Sequence, residues 1–240
     1  MFIKCKVVLF LLVLSLPSFA QTDSSSQSCT TQKMLKVAIV PTVLLTTALL
    51  NYGNHGFYSS VEARNDLRRN FLGFHTKVDN YIQFLPIEMV YVLDLFGVKA
   101  QHDFINRTLL LVKAEILANG ITQSLKYSVR EQRPTGTATE SFPSGHTTQA
   151  FVSATFMHRE YGKKSIWYSV LAYTMATSTG AMRMLNDRHW MSDVFAGAAI
   201  GIFSTELVYL THQYRWGKKG VVLMPSINQQ SLGFYLQKSF

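Results

Sequence analysis

Long apolar stretches separated by short polar breaks run along most of this chain, and strand-like alternation is scarce before residue 221. Apolar positions at helical spacing predict six helices, over 34–52, 81–97, 105–127, 146–161, 165–182 and 191–212. A shorter amphipathic helix is expected near 60–72, in the basic stretch SSVEARNDLRRNF. Upstream, residues 21–33 are rich in Ser, Thr and Gln and read as a disordered polar leader. Downstream, Pro225 and Asn228 break two short apolar runs, which predicts a small hairpin or an extended arm over 221–240. The pattern as a whole is that of an all-α bundle occupying 34–220.

Charge changes the reading at the N-terminus. Lys4 and Lys6 precede an apolar run from Val7 to Leu16, and Ser18-Phe19-Ala20 offers a small-x-small cleavage site. That order predicts a signal peptide over 1–20, with an uncleaved anchor as the alternative. Without those residues the formal charge falls from +9 to +7, because only the two lysines are lost. A basic exported chain suits an anionic partner, phosphate or anionic lipid rather than nucleic acid. Cys5 lies in the signal, which leaves Cys29 alone and excludes an internal disulfide or a cysteine-based zinc site.

Segments 34–52, 165–182 and 191–212 are apolar enough to cross a hydrocarbon core of about 30 Å. Segment 105–127 carries Lys113 and Glu115 mid-helix, charges that are costly in lipid unless they face the bundle interior. A membrane-embedded bundle is therefore expected, with a soluble periplasmic one as the alternative.

Three clusters carry candidate chemistry. Lys126 and Arg133 are seven residues apart, nearly two helical turns, so both are expected on one face at a helix end that Pro134 closes. Pro143-Ser144-Gly145-His146 opens the 146–161 helix, where Ser144 and Gly145 present backbone N–H groups to an anion beside His146. His189 and Asp193 stand i and i+4 after Arg183, so a carboxylate is expected to hold one ring nitrogen and leave the other as nucleophile. Taken singly, each cluster also fits an ordinary helix cap or surface pair.

Together, Lys126-x6-Arg133-Pro134, Pro143-Ser144-Gly145-His146 and Arg183-x5-His189-x3-Asp193 resemble the three signature motifs of the type 2 phosphatidic acid phosphatase superfamily. The resemblance implies a six-helix bundle and a phosphatase that needs neither metal nor cofactor. His189 would form a phosphohistidine, Asp193 would orient its imidazole, and His146 would protonate the leaving oxygen. Lys126, Arg133, Arg183 and the backbone around Ser144 and Gly145 would hold the phosphoryl oxygens. One departure is Met182, where the family usually has serine, a change expected to alter fine tuning more than activity.

The three motif-bearing helix ends fall on one side of an antiparallel bundle, opposite the basic connection at Arg159, Lys163 and Lys164. Basic connections favour the cytoplasm, so the site is expected on the periplasmic face of an inner membrane. A cleaved signal then requires an even number of spans before Lys126, although three candidate helices occupy that interval. The expected substrate is an envelope lipid phosphate such as lipid A, phosphatidate, phosphatidylglycerol phosphate or undecaprenyl pyrophosphate. The membrane is the expected partner, and no obligate protein partner is evident. A soluble acid phosphatase, a vanadium haloperoxidase built on the same residues, and a catalytically silent lipid-binding protein are the competing readings. Arg64, Arg68 and Arg69 offer an anionic headgroup a docking place, or the chain a lipid-surface anchor.

Overall fold

A computed structural model describes residues 24–212, 221–228 and 231–238; the expected signal peptide lies outside them. In chain order the helices are α1 (Ser24–Leu50), α2 (Ser60–Asn70), α3 (Asp79–Ile82), α4 (Leu85–Leu95) and α5 (Phe104–Val129). They continue as α6 (Gly145–Tyr161), α7 (Ile166–Leu185) and α8 (Met191–Thr211). Near the C-terminus, β1 (Val221–Asn228) and β2 (Ser231–Lys238) pair antiparallel, with Asn228 opposite Ser231.

The long helices follow the hydrophobic pattern, and three boundaries differ from it. Helix α1 begins at Ser24, inside the segment read as a disordered leader. The single helix expected over 81–97 is two pieces, because Pro86 sits in the first turn of α4, where a missing N–H is harmless but continuation from α3 is not. Helix α5 stops at Val129 rather than at Pro134. Arg130 takes a left-handed conformation (φ 51°), so Arg133 lies in the following loop and not on a helical face with Lys126.

Helices α6 and α8 form the spine. One apolar cluster joins α1, α5, α6 and α8 through Ala48, Leu110, Ala114, Val152, Ala196 and Ile200. A second joins α4, α6 and α7 through Val90, Ala154, Phe156, Met157 and Ala172. Gly197 and Gly201 let α8 lie against α6 backbone to backbone. A Cβ on Gly197 would stand 2.6 Å from the Ser144 carbonyl oxygen, and one on Gly201 would stand 2.6 Å from that of Thr148. A small-xxx-small pair of this kind permits the closest helix approach.

Among the described residues, α8 is the one helix long and apolar enough to cross a membrane, with a mean hydropathy of 1.6, and most of that stretch is buried within the bundle. The apolar stretch Met34–Leu50 is shorter. Helix α7 does not qualify, contrary to expectation, because Ser169, Thr174, Thr177, Ser178 and Thr179 dilute its apolar face. Helix α4, with 11 residues, is about 16 Å long, roughly half a hydrocarbon core.

Candidate active site

The end of α5, the start of α6 and the start of α8 meet, and every motif residue lies at that end of the bundle. The join is a backbone one: the Ser144 N–H donates to the Asp193 carbonyl at 3.1 Å. Ser144 is fully buried, and its hydroxyl accepts from the Thr147 N–H and hydroxyl. Its N–H and hydroxyl are therefore committed to capping α6 and holding α8, not to an anion as the sequence suggested. The N–H groups of Gly145 and His146 follow it in the first turn of α6 and have no acceptor among the described residues, so an anion at this helix start would meet the chain one residue later.

His189 does not ride on a helix. It precedes α8, whose third residue is Asp193, so the pair meets through the cap of α8 rather than along one helical face. The Asp193 carboxylate accepts from the Trp190 N–H at 2.9 Å and from the Ser141 hydroxyl at 2.5 Å on the same oxygen. His189 Nδ1 lies 3.4 Å from that oxygen. This is too long and too poorly directed for a good hydrogen bond, and the carboxylate acts there mainly as a neighbouring charge. His189 is only 4% exposed. Burial holds its imidazole below the ordinary histidine range, Asp193 opposes the shift, and the Arg183 and Lys126 cations add to it.

The cations surround this pair. Lys126 donates to the Glu140 carbonyl at 2.7 Å, in the part of α5 where the outward residues Asn119, Gln123, Ser124 and Ser128 are polar. Arg133 sits in a turn closed by its own carbonyl and the Gly136 N–H, and it is depressed by burial and by the Arg183 and Arg188 cations. Buried Arg183 donates through Nη1 to Asp79 at 2.7 Å. Six buried side-chain atoms among the described residues have no protein partner, and four are here: Arg133 Nε, Arg183 Nε, His189 Nδ1 and Asp193 Oδ1. Two guanidinium donors held in this way are matched to an oxyanion.

His146 stands beside them, its Nε2 hydrogen-bonded to Asn80 Oδ1 at 2.8 Å. Burial pushes its imidazole down to about 4, and Arg183, His189 and Arg133 act in the same direction against Asp79. A bound phosphate dianion would reverse that balance.

Helix α2 braces the third motif from outside. Asp187, left-handed at φ 57°, accepts from Arg64 Nε and Nη2 at 2.7 and 2.9 Å and from Arg68 at 2.8 Å. The Arg64 guanidinium also lies over the Trp190 ring at 5.5 Å. Of the three arginines offered by the sequence as a headgroup dock, Arg64 and Arg68 are therefore occupied with protein. Asp79, Asn80, Ser141 and Asp187 were all missed by sequence reasoning. Each lies outside the three motifs or between their named positions, and only Asp187, inside the Arg183-x5-His189 spacing, carried even a positional hint.

The chain is similar to known proteins. The family described as PAP2 superfamily matches residues 107–217. Lipid A 1-phosphatase of Porphyromonas gingivalis is 45% identical over 137 residues, which is 57% of this chain and 31% of that protein. The chain thus matches across about a third of that relative's length. The transmembrane PAP2-type phosphatidylglycerolphosphate phosphatase from Bacillus subtilis superposes on 76% of this chain and 99% of its own, with a TM-score of 0.50 and 20% identity. LpxE of Aquifex aeolicus covers 60% of this chain and 93% of its own, with a TM-score of 0.47 and 22% identity. The likeness to the Bacillus enzyme is one of fold, and it is the all-α PAP2 fold that the motif resemblance implied.

Proposed function

We propose that this chain, which is similar to the PAP2 superfamily over residues 107–217, is a membrane-bound phosphatase acting on a phosphorylated envelope lipid, with lipid A as the favoured substrate. One observation carries the chemistry: Lys126, Arg133 and Arg183 converge with His146 on the buried His189–Asp193 pair, with guanidinium donors unspent on protein. Lipid A is favoured because the Porphyromonas relative, 45% identical over the matched segment, is a lipid A 1-phosphatase.

His189 attacks phosphorus through Nε2, since Nδ1 faces Asp193. The P–N bond forms as the P–O bond to the lipid breaks, and His146 delivers a proton to the departing oxygen. Water then attacks the phosphohistidine, His146 takes its proton, and inorganic phosphate leaves with His189 restored. Each cation at about 4 Å from an oxyanion contributes on the order of 4 kcal/mol at an effective dielectric near 20, before desolvation is subtracted. Three such cations are significant against the roughly 8–23 kcal/mol that enzymes remove from a barrier.

Membrane residence is supported by where the polar residues lie. Leu35, Ile39, Val43, Val112, Ile116, Trp167 and Val170 are exposed on the outside of the bundle. Ser153, Thr155, Glu160, Ser204 and Thr205 are buried inside it. An apolar exterior around a polar interior suits lipid as the surrounding solvent. The short α4 fits two spans before Lys126: α1 and α5 have the length for a span, although neither is as apolar as α8, whereas α4 lacks the length.

The test is trapping with phosphate-labelled lipid A under an alkaline denaturing quench, because a phosphohistidine is labile in acid. We expect labelled protein from the native chain and none from His189→Ala; label retained in that variant removes His189 as nucleophile. Mass spectrometry of envelope lipids after deletion and re-expression tests the substrate. An unchanged phosphate count on lipid A would exclude it.

A further inference from the structure

The residues at 79 and 80 lie outside the segment matched to the family, yet they touch two of the groups to which the chemistry is assigned. Asp79 is 1% exposed and accepts from Arg183 Nη1 at 2.7 Å. Its neighbour Asn80 accepts from His146 Nε2 at 2.8 Å. The two therefore reach, from one turn of α3, an arginine about a hundred residues downstream and a histidine about seventy downstream. Their backbone is fastened in turn. The Thr76 N–H donates to Asn186 Oδ1 at 2.9 Å, the Asn186 amide donates to the Thr76 carbonyl at 3.0 Å, and Asn186 also reaches Asp79. Thus the segment 76–80 is stitched to the end of α7 beside Arg183 and presents one side chain to each half of the site.

We propose that Asp79 and Asn80 are positioning residues for phosphoryl transfer: Asp79 aims Arg183, and Asn80 fixes the ring and tautomer of His146. The proposal rests on the functional reading given above. Asp79 holds one guanidinium nitrogen, so the remaining donors of Arg183, Nε among them, keep a fixed direction toward the His189 side. Asn80 accepts the proton on Nε2, which leaves Nδ1 as the nitrogen that exchanges a proton with the leaving oxygen and then with water. A carbonyl acceptor also stabilises the imidazolium, the stronger donor, over neutral imidazole. The charged groups that face His146 are Arg183, His189 and Arg133, which disfavour its protonation, and Asp79, which favours it. Asn80 is exposed, so its replacement removes no core contact.

The test measures kcat and KM against pH for the full chain in detergent micelles with lipid A. It compares Asn80→Ala, Asn80→Asp, Asp79→Ala, Asp79→Asn, His146→Ala and the Asn80→Ala/His146→Ala double variant. We expect Asn80→Ala to lower kcat on the order of tenfold with little change in KM, and to move the basic limb of kcat to lower pH. Asn80→Asp should move that limb to higher pH. In the His146→Ala background, Asn80→Ala should cost nothing more. Asp79→Ala should weaken inhibition by inorganic phosphate, and Asp79→Asn, which keeps the acceptor, should recover most of it. Limbs unmoved in both Asn80 variants, or an Asn80→Ala loss that adds in full to that of His146→Ala, would overturn the proposal. So would phosphate inhibition equal in Asp79→Ala and the native chain. Should Asp79→Ala fail to fold, the Asn80 set decides alone. A fully active His146→Ala enzyme removes the functional reading and this proposal together, whereas an impaired one beside unmoved Asn80 variants removes this proposal only.

Discussion

Ser144 donates its backbone N–H to the backbone carbonyl of Asp193 at 3.1 Å, so the start of α6, which carries His146, and the start of α8, which carries Asp193, are joined through main chain. Among substitutions at Ser144, proline alone would remove the donor itself. The bond sets the separation of the two halves of the site before His146, His189 or substrate take part.

The first expectation concerns the carboxylate. Asp193 Oδ2 is held by the Ser141 hydroxyl and the Trp190 N–H. Ser141→Ala removes one hydrogen bond to a buried charged group, a loss of about 1.5–3 kcal/mol in this setting. We expect kcat to fall by about tenfold to a hundredfold with KM little changed, while Asp193→Ala abolishes phosphoenzyme formation.

Acidity should affect the site through its nucleophile. On the proposed mechanism His189 must be neutral to attack, and burial lowers its pKa, so the acid limb of kcat/KM should lie below the ordinary histidine value of about 6.5. Arg183→Gln removes one of the cations that depress it and should move that limb upward. A pH–rate series on both proteins checks this.

Stability carries a matching signature. His146 is depressed to about 4 and His189 is also lowered, so the unfolded chain binds protons that the folded chain does not. Their contribution is complete above about pH 6.5 and is lost as pH falls toward the folded values. We expect Tm in detergent to drop as pH is lowered from 6.5 to 4, and His146→Gln to flatten part of that drop.

Close packing of the spine gives a fourth. Gly201→Ala places a methyl group 2.6 Å from the Thr148 carbonyl oxygen, so α6 and α8 must separate. We expect a loss of about 1–3 kcal/mol in stability and a larger fall in activity than thermal unfolding at the assay temperature explains. Gly120→Ala, with nothing within 4 Å of the added group, is the control and should not be destabilised.

The brace on Asp187 gives the last. Asp187→Ala frees Arg64 and Arg68 and loosens the left-handed turn before His189. Activity should fall, with Arg69→Ala unchanged because Arg69 touches only Asp66, at 4.0 Å. Arg64 holds the Asp187 carboxyl below its usual range, so this contribution is present at neutral pH and is lost only in strong acid.

What the sequence displayed was the part of the site that lies within short stretches of chain. Lys126, His146, His189 and Asp193 stood out because their spacing along helices and caps is local. Asp79 and Asn80 did not, because a carboxylate and an amide in a short turn have no local feature that names a partner about a hundred positions away. Arg64 and Arg68 were visible as charge, but their partner Asp187 was not, so they looked free. The helix ends were legible where a cap or a glycine marks them. The end of α5, expected at 127, lies close by at Val129; the misreading was to carry the helical face on to Arg133 because Pro134 was the visible stop, while the turn is made at Arg130.

Gly197 and Gly201 also bear on how the molecule meets its surroundings. With α6 and α8 in main-chain contact, the helices that carry His146 and Asp193 share one hard stop rather than a compressible layer of side chains. On the proposed membrane residence, lateral pressure or a change in bilayer thickness would fall first on α1, α4, α5 and α7, which are packed around that spine. The proposed proton and phosphoryl transfers would then run across a distance set by main-chain contact, and the absence of side chains at two positions would buffer it mechanically.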